Sequence, residues 1–140
     1  MGIHSIIVIK NEKDEYLQYY DKKWQCYLFL NCKLPNGDDC NIVKEKVAFD
    51  LNLEEKNIEI SLVGFKRHKK FSESDKVEKE YVHFFYNVKI KSKLPDNEFY
   101  NNGIEYKWFS YSDFMNNERI KKVNGDIIYF VKDFNMWLEI

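Results

Sequence analysis

Residues 24–53 read WQCYLFLNCKLPNGDDCNIVKEKVAFDLNL. The centre of this stretch is turn chemistry, Pro35-Asn36-Gly37, where proline presets one backbone angle and glycine accepts a positive one. Asp38 or Asp39 can then cap a helix by accepting from its first free N–H groups. Over residues 41–51 the apolar side chains Val43, Val47 and Leu51 recur at i, i+4 and i+8, the single stripe of a helix lying on a core. Asn52 stands where a left-handed C-cap belongs. Ahead of the turn, residues 27–30 form a short apolar run. The unit reads as apolar run, turn and helix.

Outward from it, the chain alternates in the manner of strands. Residues 3–10 are a β-branched run closed by an Asn11-Glu12-Lys13-Asp14 turn, and residues 15–20 read as its hairpin partner. Alternation places Leu17 and Tyr19 on one face of that partner and Tyr16, Gln18 and Tyr20 on the other. Residues 58–71 and 81–90 predict two more strands, with YVHFFYNVKI the most β-prone stretch of the chain. The polar residues 72–76 between them read as a loop or hairpin tip. Residues 105–110 predict a late strand, with Tyr106 and Trp108 on one face and Phe109 on the other. A short helical turn begins at Tyr111-Ser112-Asp113. Asn124-Gly125-Asp126 is expected to open a final helix with Ile127, Phe130, Val131 and Phe134 on its core face. The order β, β, α, β, β, β, α implies a mixed sheet with helices packed on its faces.

The composition sets the class. The 140 residues are 44% hydrophobic and carry a net charge of -1, so residues 1–140 are expected to form one domain with a real core. The near-zero charge disfavours a strongly basic nucleic-acid binder. Cys26, Cys32 and Cys40 form no CxxC pair and read as reduced thiols. The first apolar run is too short for a signal segment, and nothing approaches the ~18 apolar residues of a membrane span. A cytoplasmic protein is expected. Its Lys, Asn and Ile content suggests an AT-rich genome; a bacterial source is expected.

Trp24 through Leu53 resembles the Nudix box and its lead-in. Lys33 follows the position of the box's double glycine, Gly37-Asp38 stands for its Gly-Glu, and Asp50-Leu51-Asn52-Leu53 for its Glu-x-Gly-Leu end. GIEYKWFSYSDF, residues 103–114, is similar to the late strand of the same family. The resemblance covers most of the chain and implies an α/β fold, a Nudix-like α/β/α sandwich around a mixed β-sheet. In that family three carboxylates at i, i+3 and i+4 of the helix bind Mg²⁺, as hard oxygen donors do. Aligned by the helix end, those positions here are Lys46, Phe49 and Asp50. The family's arginine position is Glu45, Asn31-Cys32 replaces the double glycine, and the spacer after Asp38 is one residue shorter.

What the resemblance implies is therefore a domain with a degenerate catalytic motif. It would bind a nucleotide or nucleoside-diphosphate-type ligand without hydrolysing it, or serve as a regulatory module. Lys46 would replace the cation opposite a phosphate, with Lys33, Trp24 and Phe49 as further ligand contacts. The alternative is a divergent Mg²⁺-dependent hydrolase of a nucleoside diphosphate linked to another moiety. Its metal would rest on Asp38, Glu45 and Asp50, helped by Glu78 or Glu80, with Glu45 and Asp50 as its catalytic candidates. A third class is a protein-interaction module with a protein partner or as a homodimer.

Three further features also carry chemistry. Lys66-Arg67-His68-Lys69-Lys70 is a dense basic run. On a strand it divides into Lys66, His68 and Lys70 on one side and Arg67 and Lys69 on the other. It reads either as an anion-binding face or as a charged edge strand. Trp24, Tyr27, Phe29 and Phe71 could line a base-stacking pocket or belong to the core. His83, inside YVHFFY, reads as a satisfied sheet histidine, and His4, His68 and His83 have no recognisable zinc spacing.

Overall fold

The computed structural model describes residues 2–72 and 75–138, with side chains to Phe134. Seven strands form one sheet: β1 (Gly2–Ile9), β2 (Tyr16–Asp21), β3 (Cys26–Lys33), β4 (Ile58–Ser72), β5 (Val77–Ile90), β6 (Phe99–Asn101) and β7 (Ile104–Phe109). Their spatial order is β4-β5-β1-β3-β2-β7-β6. β1 and β5 run parallel and the other neighbours antiparallel, so the sheet is mixed. Helix α1 (Cys40–Leu51) covers one face. The short α2 (Tyr111–Met115) and the long α3 (Glu118–Leu138) cover the other. The chain is an α/β/α sandwich around a mixed sheet.

Alternation sorts the core into two clusters, one per face. Ile7, Ile9, Leu17 and Leu30 meet the α1 stripe Val43, Val47 and Leu51. Both valines are fully buried, worth roughly 1.5–3 kcal/mol each. Ile6, Val8, Tyr16 and Phe29 point the other way, onto Phe114 and onto Ile120, Ile127, Val131 and Phe134 of α3. β7 serves both sides: Tyr106 and Trp108 join the α1-side core and Phe109 the α3-side core, as its period of two requires.

Asp39 is the residue that caps α1, its Oδ1 accepting from the N–H groups of Asn41 and Ile42 at 3.1 and 3.2 Å. Asn52 ends the helix in the left-handed region, with φ 54°. Gly37 has φ 85° in the preceding turn, which a side chain would resist.

Four expectations change. Residues 15–20 are not the hairpin partner of β1: β2 pairs with β3 and β7, and only the isolated bridge Lys10–Tyr16 joins it to the chain after β1. The apolar run at 27–30 is the middle of a full eight-residue strand. β3 pairs with β2 through Cys26–Phe29 and with β1 through Leu30–Lys33, so half of each edge is free. β6 has no periodicity of its own and exists through pairing with β7. Asn124-Gly125-Asp126 marks a kink rather than a helix start. Helix α3 already begins at Glu118, where Asn117 Oδ1 accepts from Ile120 N at 3.0 Å. Asn124 then leaves helical geometry (φ -130°, ψ 15°). Of the hairpin tip expected at 72–76, Glu73 and Ser74 lie outside the described residues.

Candidate functional site

Two polar regions of the molecule can be weighed. The first is the α1 face nominated by the box. Lys46 and Asp50, one turn apart, close an ion pair of 3.1 Å. Asp50 is largely buried and Lys46 partly exposed. The backbone carbonyl of Asp50 accepts from Asn101 Nδ2 and the Tyr106 hydroxyl, which ties the helix end to β6 and β7. Below them, Cys32 N donates to Ser5 Oγ at 3.0 Å and the thiol lies 3.1 Å from the same oxygen. Burial raises the Cys32 thiol above its ordinary pKa, opposed by the Ser5 hydrogen bond and the Lys46 charge.

The remaining carboxylates nominated there are engaged or displaced. Asp38 accepts from the hydroxyl of Tyr86, and the same hydroxyl accepts from Asp39 N at 3.1 Å. Burial, then the Asp38 hydrogen bond, pushes the Tyr86 phenol well above its usual range, so it remains a donor. Glu45 is exposed on the outer side of α1, and Phe49 is 73% exposed. Lys33 stands exposed at the end of β3. Glu78 and Glu80 are on strand β5 rather than in a loop, and Glu80 is paired with Arg67 at 3.1 Å. The donors on this face do not fit Mg²⁺. An ammonium occupies the neighbourhood of Asp50, and among the described residues no three His, Cys, Asp or Glu side chains converge where they could hold a metal ion.

The second region is a cavity of about 470 Å³ on the α3 face, within the usual size of small-molecule sites. Its walls come from β3 (Leu28, Phe29, Asn31), the start of β1 (His4, Ile6), the β4–β5 hairpin (His68, Lys70, Phe71, Tyr81, His83) and the kinked start of α3 (Arg119, Lys122, Asn124, Asp126). Trp24 closes one side from the β2–β3 turn. That turn is held by Asp21 Oδ1, which accepts from Trp24 N at 3.0 Å, and by Arg119, whose guanidinium donates to the Trp24 carbonyl. The indole is 46% exposed, with Lys23 Nζ 5.9 Å over its ring.

The basic strand divides as its alternation predicts. Lys66 Nζ lies over the Phe130 ring at 5.7 Å, and Lys70 Nζ donates to the Val123 carbonyl of α3 at 3.4 Å. On the opposite side Arg67 pairs with Glu80. β4 is also the sheet's outer strand, so the run both lines the cavity and charges an edge. His68 Nε2 and His83 Nδ1 are 2.8 Å apart with their rings stacked. Burial, reinforced by the neighbouring His68 and His4, lowers the His83 pKa to about 4. His4 is lowered by burial and then by Lys33.

Of the nominated residues, then, the cavity gathers Trp24, with Phe29, Phe71, His68 and Lys70. Lys33, Lys46, Phe49 and Asp50 do not line it. Asn31 lines the cavity, while its neighbour Cys32 packs with the α1-side core. Tyr27 instead donates to Glu105 at 2.8 Å. Arg119 and Lys122 are not legible as site residues because they precede the helix start expected at Asn124, and Asn124 and Asp126 read only as that helix's opening. Their one sequence signal is the Asn-Gly-Asp break itself.

No protein-family model matches the sequence, and comparison with curated proteins finds no significant match. Solved structures do match. A C. elegans Ap4A hydrolase superposes with a TM-score of 0.63 at 12% identity, covering 99% of this chain and 98% of that one. A Nudix hydrolase from Nitrosomonas europaea gives 0.62 at 15% identity over 96% and 88%. The fold of this chain is the Nudix fold. A MutT protein from Methanosarcina mazei gives 0.60 at 14% identity over 99% and 96%. Identities this low establish the Nudix architecture and leave the chemistry to this chain's own side chains. No helix among the described residues is long and apolar enough to cross a membrane.

Proposed function

We propose that this Nudix-fold chain binds a nucleotide or nucleoside-diphosphate-type ligand in the α3-face cavity without hydrolysing it, and that it acts as a binding or regulatory module. The observation that carries the reading is the cavity's lining: the exposed Trp24 face with Phe29 and Phe71, beside Lys70, Arg119 and Lys122, against the single carboxylate Asp126. Aromatic faces stack on bases and cations hold phosphate, the two halves of a nucleotide. The Lys46–Asp50 pair supports the non-hydrolytic part, since an ammonium beside the carboxylate repels a divalent cation. A partner protein or a second copy would read the bound state.

A divergent Mg²⁺-dependent hydrolase is the second reading, favoured by neighbours whose names are those of hydrolases. One experiment separates the two. Calorimetry against mononucleotides, dinucleotides and nucleotide sugars should show binding, and the same panel with Mg²⁺ should show no turnover. Rates near the ordinary enzyme median of ~10 s⁻¹ would establish hydrolysis instead. Lys46→Glu with Phe49→Glu should introduce Mg²⁺ binding that the parent lacks.

A further inference from the structure

All three histidines of the chain lie in the wall of this cavity. His83 of β5 stands between His68 of β4 and His4 of β1. Its ring centroid is 4.9 Å from that of His68 and 6.0 Å from that of His4. We infer that an anionic ligand entering the cavity is bound together with a proton taken up by the His68–His83 pair, so that the cavity favours ligands of fixed negative charge and holds them more tightly as pH falls. This rests on the reading of the cavity as a nucleotide site.

The pair's geometry carries the inference. At 2.8 Å between Nε2 and Nδ1, one ring donates and the other accepts, so the pair holds one added proton without opening. A second would set N–H against N–H. Asp126 Oδ2, 3.8 Å from His68 Nδ1, directs that proton to His68. The protonated arrangement is then Asp126 carboxylate, His68 imidazolium and neutral His83, which is left with an Nε2–H to donate.

The other groups facing the pair decide when the proton arrives. His4 from β1 and Lys70 from β4 oppose a positive charge, and Asp126 from α3 favours one. Tyr81 from β5 packs its ring on both imidazoles, and Phe130 and Phe85 close the apolar side. Without ligand, burial and these neighbours hold His83 neutral. An anion in the cavity reverses the balance, because an opposite charge nearby favours the charged form. The bound state therefore titrates at higher pH than the free state, and affinity rises as pH falls between the two.

The test uses probes whose own charge is constant, ADP-ribose and UDP-glucose, titrated calorimetrically without divalent metal. Each is measured at roughly pH 5.5 and pH 7.5, in two buffers of different ionisation heat. Binding should tighten by about tenfold or more at the lower pH, since one unit of pKa shift is a factor of ten. The heat should change with buffer in the sense of proton uptake. His68→Asn and His83→Asn should each remove the pH dependence. Imidazole NMR of the parent provides the same information without a variant: one ring of the pair should titrate at least about one unit higher when saturated with probe. Binding with equal affinity at both pH values and no buffer effect overturns the proton linkage and leaves the nucleotide site standing. No binding of either probe at either pH overturns the site and the linkage together.

Discussion

On the α1 face the polar groups satisfy one another: Lys46 with Asp50, Asp38 with Tyr86, Asp39 with the first turn of its own helix, and Cys32 with Ser5. On the α3 face the polar groups surround space: Arg119, Lys122, Lys70 and three imidazoles line a cavity that the core leaves open. Both regions hang on the same strand, β3. The first looks like the functional motif in sequence, and the second has the geometry to take a ligand. Position within a motif and availability to a ligand are therefore separate properties. A carboxylate already neutralised at 3.1 Å has little left to offer a metal, whereas an indole 46% exposed at a cavity mouth, with only the Lys23 ammonium 5.9 Å over its ring, is open to a ligand.

The largest effect that would sharpen this contrast is on stability. Trp108 packs in the α1-side core at 9% exposure and donates from Nε1 to the Pro95 carbonyl at 2.8 Å. Trp108→Ala should lose ~3–5 kcal/mol in denaturant unfolding, a large share of a typical ~5–15 kcal/mol. Trp24→Ala, at the cavity, should stay within ~0.5 kcal/mol of the parent. Equal losses would erase the distinction between a core tryptophan and a binding one.

Next comes the pH dependence, which belongs to the α3 face. His83 titrates near 4 when folded, against an ordinary 6.5, so between those values the unfolded chain binds more protons than the folded one. Stability is therefore full above pH 6.5 and falls as pH drops through the window, by roughly 2–3 kcal/mol. Unfolding midpoints across that range measure it, and His83→Gln should flatten the fall. An unchanged slope in the variant would place the loss elsewhere.

Ligand binding should separate the faces more finely. Trp24→Ala should weaken nucleotide binding by about 1–3 kcal/mol, the usual worth of one stacking face, whereas Phe49→Ala on α1 should leave it unchanged. The reverse result in calorimetry would return the site to the box. The smallest effects lie within α1 itself. Asp39→Ala should cost ~1 kcal/mol as a lost N-cap, and Lys46→Ala no more than ~0.5 kcal/mol as a half-exposed i, i+4 pair. Thermal melts resolve both.

How far the sequence could be read follows from the range of the forces involved. The register of α1, its cap at Asn52, the two faces of β7 and the alternation of the basic strand are set within a few residues, by periods of 3.6 and 2, and the structure agrees at each. Leu51 and Trp108 are buried because local spacing aims them at a sheet. The full length of β3, the existence of β6 and the start of α3 at Glu118 depend on partners far along the chain, and no local pattern announces them. The cavity depends on such partners entirely. His4 meets His83 because β1 pairs in parallel with β5, and His68 reaches the same wall through the antiparallel β4–β5 register. Arg119, Asn124 and Asp126 join them only through the packing of α3. The first helix, most of the strands and the faces they bury can be read from the residues alone, since those choices are local. Only the tertiary contacts settle which polar side chains pair on the α1 face and which gather around the α3-face cavity, since strand register and helix docking alone bring residues 4, 24, 68, 83 and 119 together.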